Sequence, residues 1–159
     1  MFDRMTQSPP AQGADVIARA VAALALAALA VIHVVDLPAT LGPTPLVGAG
    51  YLGIIAAAVL TGGVMITRSH WLVWAAAGGL AVSAMGGYVL TRALAGGFLG
   101  DHGDAGNWRC PLGIAALSVE TLLILLVLLA AWQARARPAN LPPQPRPAPR
   151  HVPEYSQPG

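Results

Sequence analysis

The segment "LGIAALSVETLLILLVLLAAW", residues 112–132, decides the fold of this protein. It carries a single ionisable residue, Glu120, among side chains that are otherwise apolar, small or hydroxyl-bearing. A helix of about 20 such residues is long enough to cross the roughly 30 Å of hydrocarbon in a lipid bilayer. The segment therefore predicts a membrane-spanning helix.

Three more segments of this kind precede it in the chain. Hydrophobic residues make up 55% of the 159 residues and charged residues 10%, whereas a typical soluble domain is about one quarter charged. Short connections, such as Arg68-Ser69-His70, require antiparallel neighbours. We predict an all-α polytopic membrane protein with four transmembrane helices in an antiparallel bundle, within residues 15–134. The predicted spans are 16–35, 46–67, 71–92 and 111–132.

The arginines orient the predicted bundle. Loops on the cytoplasmic side of a membrane carry an excess of Lys and Arg. With the N-terminus inside, only Arg92 and Arg109 fall outside. The arginines on the inner side are then Arg4, Arg19, Arg68, Arg135, Arg137, Arg146 and Arg150. We predict a multi-pass protein of the cell (plasma) membrane with both termini cytoplasmic.

The two ends of the chain differ from the apolar middle. Residues 1–14 predict a short cytoplasmic segment, and residues 135–159 are rich in Pro and Arg with few residues able to build a core. We expect this tail to be a disordered cytoplasmic segment. The arginines form no basic face with interleaved aromatics, so nucleic-acid binding is not expected.

Small residues recur every four positions in two of the predicted helices, which allows helix backbones to approach closely. In the third predicted helix these residues form a seam of Ala75, Gly79, Ser83 and Gly87, and in the second a seam of Ala49, Gly53, Ala57 and Thr61. We expect these seams to pack the second helix against the third, or to face a second copy or another membrane protein.

Glu120 is the most informative polar residue. Counting from Pro111, it lies about 13 Å along the fourth helix, near the middle of the membrane, where a carboxylate is costly unless paired, protonated or hydrated. Arg92 is the expected partner, with Tyr88 one turn away on the same helix face. This polar set indicates either a structural ion pair or a site that handles protons or binds a ligand.

A second polar set is predicted at the outer face. Its members are His33, Asp36, Asp101, His102, Asp104, Asn107 and Trp108. His33, His102, Asp101 and Asp104 carry donor types that bind zinc, copper or iron, but no recognised metal-binding spacing is present, and Gly alternating with Asp is typical of a hydrated turn. We therefore predict no metal site and no cofactor. The simplest interpretation has Asn107 capping the fourth helix, with Pro111 in its first turn.

The stretch from Tyr88 to Glu120 resembles a group of small four-helix membrane proteins from high-GC actinobacteria. The matching elements are Arg92, Gly106-Asn107-Trp108, Pro111-Leu112-Gly113, Ser118 and Glu120, while the group's Gly-Leu-Pro turn is replaced by Ala95-Gly96-Gly97. The resemblance implies a shared outer-face arrangement with Arg92 and Glu120 as its intramembrane polar residues. It implies no activity.

These patterns favour a non-enzymatic accessory or binding component of the membrane, whose outward-facing polar cluster engages a ligand, an ion or a partner subunit. Two alternatives stay open. One is an extracytoplasmic metal- or redox-handling protein that uses His33 and His102. The other is a proton-coupled carrier of small solutes that uses Glu120 and Arg92 and acts as an oligomer.

Overall fold

The computed structural model describes residues 9–68 and 70–136. The helices are α1 (Pro9–Leu41), α2 (Pro45–Thr67), α3 (Trp71–Ala93) and α4 (Pro111–Ala136). All four contain a segment long and apolar enough to cross a membrane. The predicted all-α, four-span fold is therefore confirmed, and the chain is a small multi-pass membrane protein. Most of the predicted N-terminal segment and of the Pro/Arg-rich tail lies outside the described residues.

The helices pack as an antiparallel bundle in which each contacts its neighbours. α1 packs against α2 and α4, and α3 packs against α4 and α2. We call the end that carries the connections 42–44 and 94–110 the loop end. The opposite end, where α1 begins and α4 finishes, is the termini end.

An apolar core fills the middle of the bundle and extends toward the termini end. Leu26 and Leu29 of α1, Met65 of α2 and Leu123 of α4 are fully buried there. Small residues complete the core and let the helix backbones approach, namely Ala22, Ala25, Ala58, Ala77 and Ala81. The polar residues of the spans are thereby concentrated at the loop end.

α1 continues beyond the apolar run that predicts it. The expected span stops at residue 35, whereas the helix extends through Pro38 to Leu41. Pro38 has no N–H group to donate to the carbonyl of Val34, so this last part of α1 has one backbone hydrogen bond fewer than a regular helix. The Thr40 hydroxyl also donates to the Leu37 carbonyl at 3.0 Å. Asp36 consequently lies within α1, on the helix that carries His33.

The small-residue seam of α3 is not its packed face. Ala75, Gly79 and Ser83 are exposed, and the buried side of this helix instead carries Ala77, Ala81, Ala84, Thr91 and Arg92. In α2, Ala49 and Gly53 are also exposed. The expectation that these seams pack α2 against α3 is therefore wrong for most of their length, because the spacing of four defines a stripe but not the direction in which it points. The alternative, that the seams face a second copy or another membrane protein, stays a prediction.

Arg19 of α1 forms hydrogen bonds with α2 at the termini end. Its Nε donates to the Met65 carbonyl at 2.9 Å and its Nη2 to the Ile66 carbonyl. These carbonyls belong to the last turn of α2, where no following residue of the helix can supply an N–H group. The sequence predicted only a positive charge on this side, and the structure gives it a capping role.

Candidate functional site: a cavity at the loop end

A cavity of about 210 Å³ lies between the loop-end halves of the helices. Five of the predicted site residues line it, namely His33, Asp36, Tyr88, Arg92 and Glu120. The remaining wall is largely apolar and includes Ile32, Val47, Ile54, Phe98, Leu112 and Ala116. Polar side chains from α1, α3 and α4 thus meet in one pocket of an otherwise apolar membrane domain.

Glu120 forms part of the floor of this cavity. Its side chain is 1% exposed, and in the described part of the chain its Oε2 atom has no hydrogen-bond partner. Leu123, one turn further along α4, is fully buried in the core. Polar groups buried without a partner are rare in proteins and costly. The cavity wall therefore includes a carboxyl oxygen, Glu120 Oε2, that could still form a hydrogen bond.

Arg92, at the end of α3, is pinned by the loop that comes after it. Its Nη2 lies 3.1 Å from Asp104 Oδ2, its Nε donates to the Asn107 carbonyl at 3.0 Å, and its Nη1 donates to Thr91 Oγ1 at 2.8 Å. A backbone hydrogen bond also joins α3 to this loop, since Gly106 N–H donates to the Arg92 carbonyl at 3.0 Å. The guanidinium is thus occupied by the loop, and Asp104 is its ion-pair partner in place of the expected Glu120.

Tyr88 is held in position from three sides. The Arg92 guanidinium carbon lies 3.8 Å from the centre of its ring, and its hydroxyl donates to the Trp108 carbonyl at 3.1 Å. Gly113 of α4 faces the ring so closely that a Cβ at this position would overlap it. Tyr88 therefore joins α3, α4 and the loop, and it forms a fixed part of the cavity wall.

On the opposite wall, α1 and α2 form a second hydrogen-bonded group. Tyr51 donates from its hydroxyl to Asp36 Oδ2 at 3.0 Å, and the His33 and Tyr51 rings meet edge to face at 4.8 Å. His33 Nδ1 donates to the Leu29 carbonyl, one turn back, at 2.9 Å. A carbonyl only accepts hydrogen bonds, so Nδ1 carries a proton, and Nε2 is an acceptor when the ring is neutral.

The long connection between α3 and α4 is folded back on itself. Asp101 N–H donates to the Phe98 carbonyl at 3.0 Å, and the two residues between them, Leu99 and Gly100, have φ angles of 52° and 88°. This conformation is natural for glycine and unusual for leucine. The tight turn places Phe98 and Leu99 against the cavity.

The predicted outer-face cluster is divided by the fold. His33 and Asp36 line the cavity, whereas Asp101 and Asp104 belong to the loop, where Asp101 Oδ1 accepts from Asp104 N–H at 3.2 Å. The other three members, His102, Asn107 and Trp108, are exposed.

The weak metal candidates do not meet. Within residues 9–68 and 70–136, no group of three His, Cys, Asp or Glu side chains is close enough to hold one ion. His33 is committed to α1 and Tyr51, whereas His102 lies on the exposed loop.

The start of α4 differs from the predicted cap. The helix begins at Pro111, and Ile114 N–H donates to the Cys110 carbonyl at 3.0 Å, so Cys110 occupies the capping position. Asn107 lies three residues earlier and contributes its backbone carbonyl to Arg92. The prediction that Asn107 caps this helix is wrong, because Cys110 directly precedes the first helical residue and Asn107 lies too far back in the chain.

The exposure of its lining residues indicates that the cavity opens on one side of the bundle, between α2 and α3. Four of its lining residues are exposed: Leu46 and Gly50 on α2, Ser83 on α3 and Leu99 in the loop. We call these residues the mouth. Since the exposed helix faces of a membrane protein contact lipid, a molecule dissolved in the bilayer has a direct route to the cavity.

Sequence reasoning did not find Tyr51, Gly50 or Leu99. Tyr51 is one of only three tyrosines and lies in a predicted span, which was a usable signal. Its contact with Asp36, fifteen positions away, depends on how α1 and α2 are rotated about their axes. Gly50 and Leu99 looked like ordinary small and apolar residues of a span and a loop.

Comparison with known proteins identifies no relative: no family model, no curated protein and no solved structure matches this chain. The resemblance to actinobacterial four-helix membrane proteins stays a prediction.

Proposed function

We propose that this membrane protein is a non-enzymatic binding component that holds a small molecule in the loop-end cavity. The proposal depends above all on Glu120, an acidic side chain that is 1% exposed, lines the cavity and leaves Oε2 without a hydrogen-bond partner among the described residues. An unpaired polar group at this depth is costly, so its retention is explained if a ligand supplies the missing partner.

The other polar groups support binding over catalysis because they are engaged with each other. Arg92 bonds to the loop and Tyr51 bonds to Asp36. Cys110 also lines the cavity, but within the described residues no hydrogen bond joins its thiol to a histidine base. An adjacent base of this kind is one common way in which a cysteine nucleophile is activated.

The packing favours a closed pocket over a pathway through the membrane. Beyond Glu120 the middle of the core is filled by fully buried residues, including Leu26, Leu123 and Ala81. A second cavity, of about 370 Å³, lies further on at the termini end between α3 and α4. A carrier of small solutes would need the filled middle of the bundle to separate as the loop-end half closes. The mouth between α2 and α3 instead supports exchange of the ligand with the bilayer.

Cys110 provides a reporter for the test, since it is the only cysteine and it lines the cavity. The full chain in lipid nanodiscs is treated with methyl methanethiosulfonate, a small thiol-specific reagent, with and without 2-phenylethanol as a neutral occupant. We expect 2-phenylethanol to slow labelling in a saturable manner. Labelling that does not respond to any concentration of the alcohol would overturn the proposal.

Two glycine variants test the route to the cavity. Gly50 belongs to the mouth and Gly53 does not, and a Cβ at either position meets no atom within 4 Å. Gly50→Phe is expected to slow exchange of 2-phenylethanol, and Gly53→Phe is the matched control on the same helix. Equal exchange in both variants would contradict a mouth between α2 and α3.

A further inference from the structure

We infer that the ligand is a small lipophilic amine, bound as an ammonium ion whose N–H group donates to Glu120. This inference rests on the proposed function and specifies the chemical class of its ligand. It is supported by the charges of the cavity, by the hydrogen bonds already used there, and by the cavity's size and opening.

The charged groups around the cavity leave a negative excess. Arg92 is the positively charged residue of the lining, and Asp104 compensates it at 3.1 Å. Asp36 receives a hydrogen bond from Tyr51, which carries no charge. Neither Asp36 nor Glu120 forms an ion pair with a described residue, but Glu120 differs in having a buried Oε2 that receives no hydrogen bond, so a cation complements it better than an anion or a neutral molecule.

The hydroxyl groups of three residues that line the cavity already donate to other groups. The hydroxyl of Tyr88 donates to the Trp108 carbonyl and that of Thr91 to backbone carbonyls of α3. Tyr51 donates to Asp36. An ammonium group brings its own N–H donors and accepts no hydrogen bond, so it matches a carboxylate oxygen that receives none from the described residues.

The rest of the ligand must be apolar and compact. The cavity of about 210 Å³ exceeds the roughly 150 Å³ that admits benzene in an engineered protein core, so a single ring with a short alkyl linker fits. Its wall offers side chains such as Ile54, Phe98 and Leu112. The mouth of Leu46, Gly50, Ser83 and Leu99 selects for molecules that dissolve in lipid.

The Glu120 side chain can change its protonation when the amine binds. As the neutral acid, Glu120 avoids an unpaired charge within the membrane. An amine that arrives through lipid as the free base takes the proton from the carboxyl group, so the O–H bond breaks, an N–H bond forms and an ion pair results. The exchange needs no further reactant and moves no net charge into the membrane.

The test compares two probes of nearly equal shape, phenethylammonium and 2-phenylethanol, in the Cys110 protection assay with the full chain in nanodiscs. For the wild-type protein we expect phenethylammonium to protect at a concentration at least about tenfold lower, since a hydrogen bond to a charged group is worth roughly 1.5–3 kcal/mol. Glu120→Gln should abolish this preference and leave protection by the alcohol unchanged. Probe concentrations in the lipid are measured with empty nanodiscs.

Each outcome has a defined meaning. Equal protection by both probes in the wild-type protein would overturn the amine while leaving the cavity as a binding site. No protection by either probe would overturn the proposed function as well. A preference that persists in Glu120→Gln would show that another group binds the cation and would overturn the assignment to Glu120.

Two further variants keep the test decisive. If Glu120→Gln does not fold, Glu120→Asp retains the acid with a shorter side chain and should show a reduced preference for the amine. A preference identical to that of the wild-type protein would count against a direct contact between the amine and Glu120.

A cysteine outside the cavity is the control for the labelling assay. A Gly53→Cys reporter in a Cys110→Ser background, on the exposed face of α2, should be protected by neither probe.

Discussion

The Arg92 guanidinium lies between Asp104, 3.1 Å from its Nη2, and the Tyr88 ring, whose centre is 3.8 Å from its Cζ. This contact joins the last turn of α3 to the connection that leads into α4. Arg92 thereby stabilises the loop end and fixes one wall of the cavity. It also leaves Glu120, which shares the cavity, without a basic partner among the described residues.

Removal of the Asp104 carboxylate should destabilise the loop end. Asp104→Asn leaves the almost fully buried guanidinium of Arg92 without its counter-charge, and we expect a loss of about 1–2 kcal/mol in the free energy of unfolding. Thermal or denaturant unfolding in detergent measures the change. Arg109→Gln is the control, because it removes an exposed charge of the same loop and should alter stability by less than about 0.5 kcal/mol. Equal effects of the two substitutions would contradict the ion pair.

Addition of one methyl group at Gly113 should disturb Tyr88. The Cβ of Gly113→Ala would overlap the ring, which cannot withdraw freely because Arg92 and the Trp108 carbonyl hold it. We expect a loss of about 1–3 kcal/mol, typical of overpacking, together with a change in Trp108 fluorescence.

Gly86→Ala is the matched control for that substitution, since a Cβ at Gly86 meets no atom within 4 Å. Alanine has the higher helix propensity, so this variant should be neutral or slightly more stable. If both alanine variants unfold at the same temperature, the close contact between Gly113 and Tyr88 is not present in solution.

The capping role of Arg19 predicts a loss of stability at the other end of the bundle. Arg19→Gln keeps a hydrogen-bond donor but removes the charge and the fork that reaches the Met65 and Ile66 carbonyls. We expect a cost of about 1.5–3 kcal/mol in the free energy of unfolding. Arg68→Gln, at an exposed arginine of the same end, should cost much less. Amide hydrogen exchange in the last turn of α2 should accelerate only in the Arg19 variant.

The orientation predicted from the arginines is tested by labelling intact cells. In a Cys110→Ser background, His102→Cys places a thiol on the exposed loop, and Thr67→Cys places one at the opposite end of the bundle. A membrane-impermeant maleimide should label the first variant in intact cells and the second only after lysis. The reverse pattern would place both termini outside and contradict the prediction.

The sequence by itself determined the architecture, because the bilayer imposes a simple rule. About 20 apolar residues must form a helix there, since the hydrocarbon offers no partner for backbone N–H and C=O groups. Segments such as 112–132 meet this condition regardless of their neighbours. The starts of α3 at Trp71 and of α4 at Pro111 coincide with the predicted spans. The end of α1 does not, since a helix continues past its apolar run when its polar residues find partners.

Only the tertiary structure decided which polar residues meet. The sequence identified Glu120 and Arg92 as buried, but their pairing depended on helix rotation and on the path of residues 94–110. The loop returns across the end of α3 and brings Asp104 to Arg92. Rotation of α1 and α2 brings Tyr51 to Asp36. Residues distant in sequence meet only when all the helices pack together. The spacing of residues within one helix therefore could not predict that Glu120 would lack a partner at the floor of the cavity.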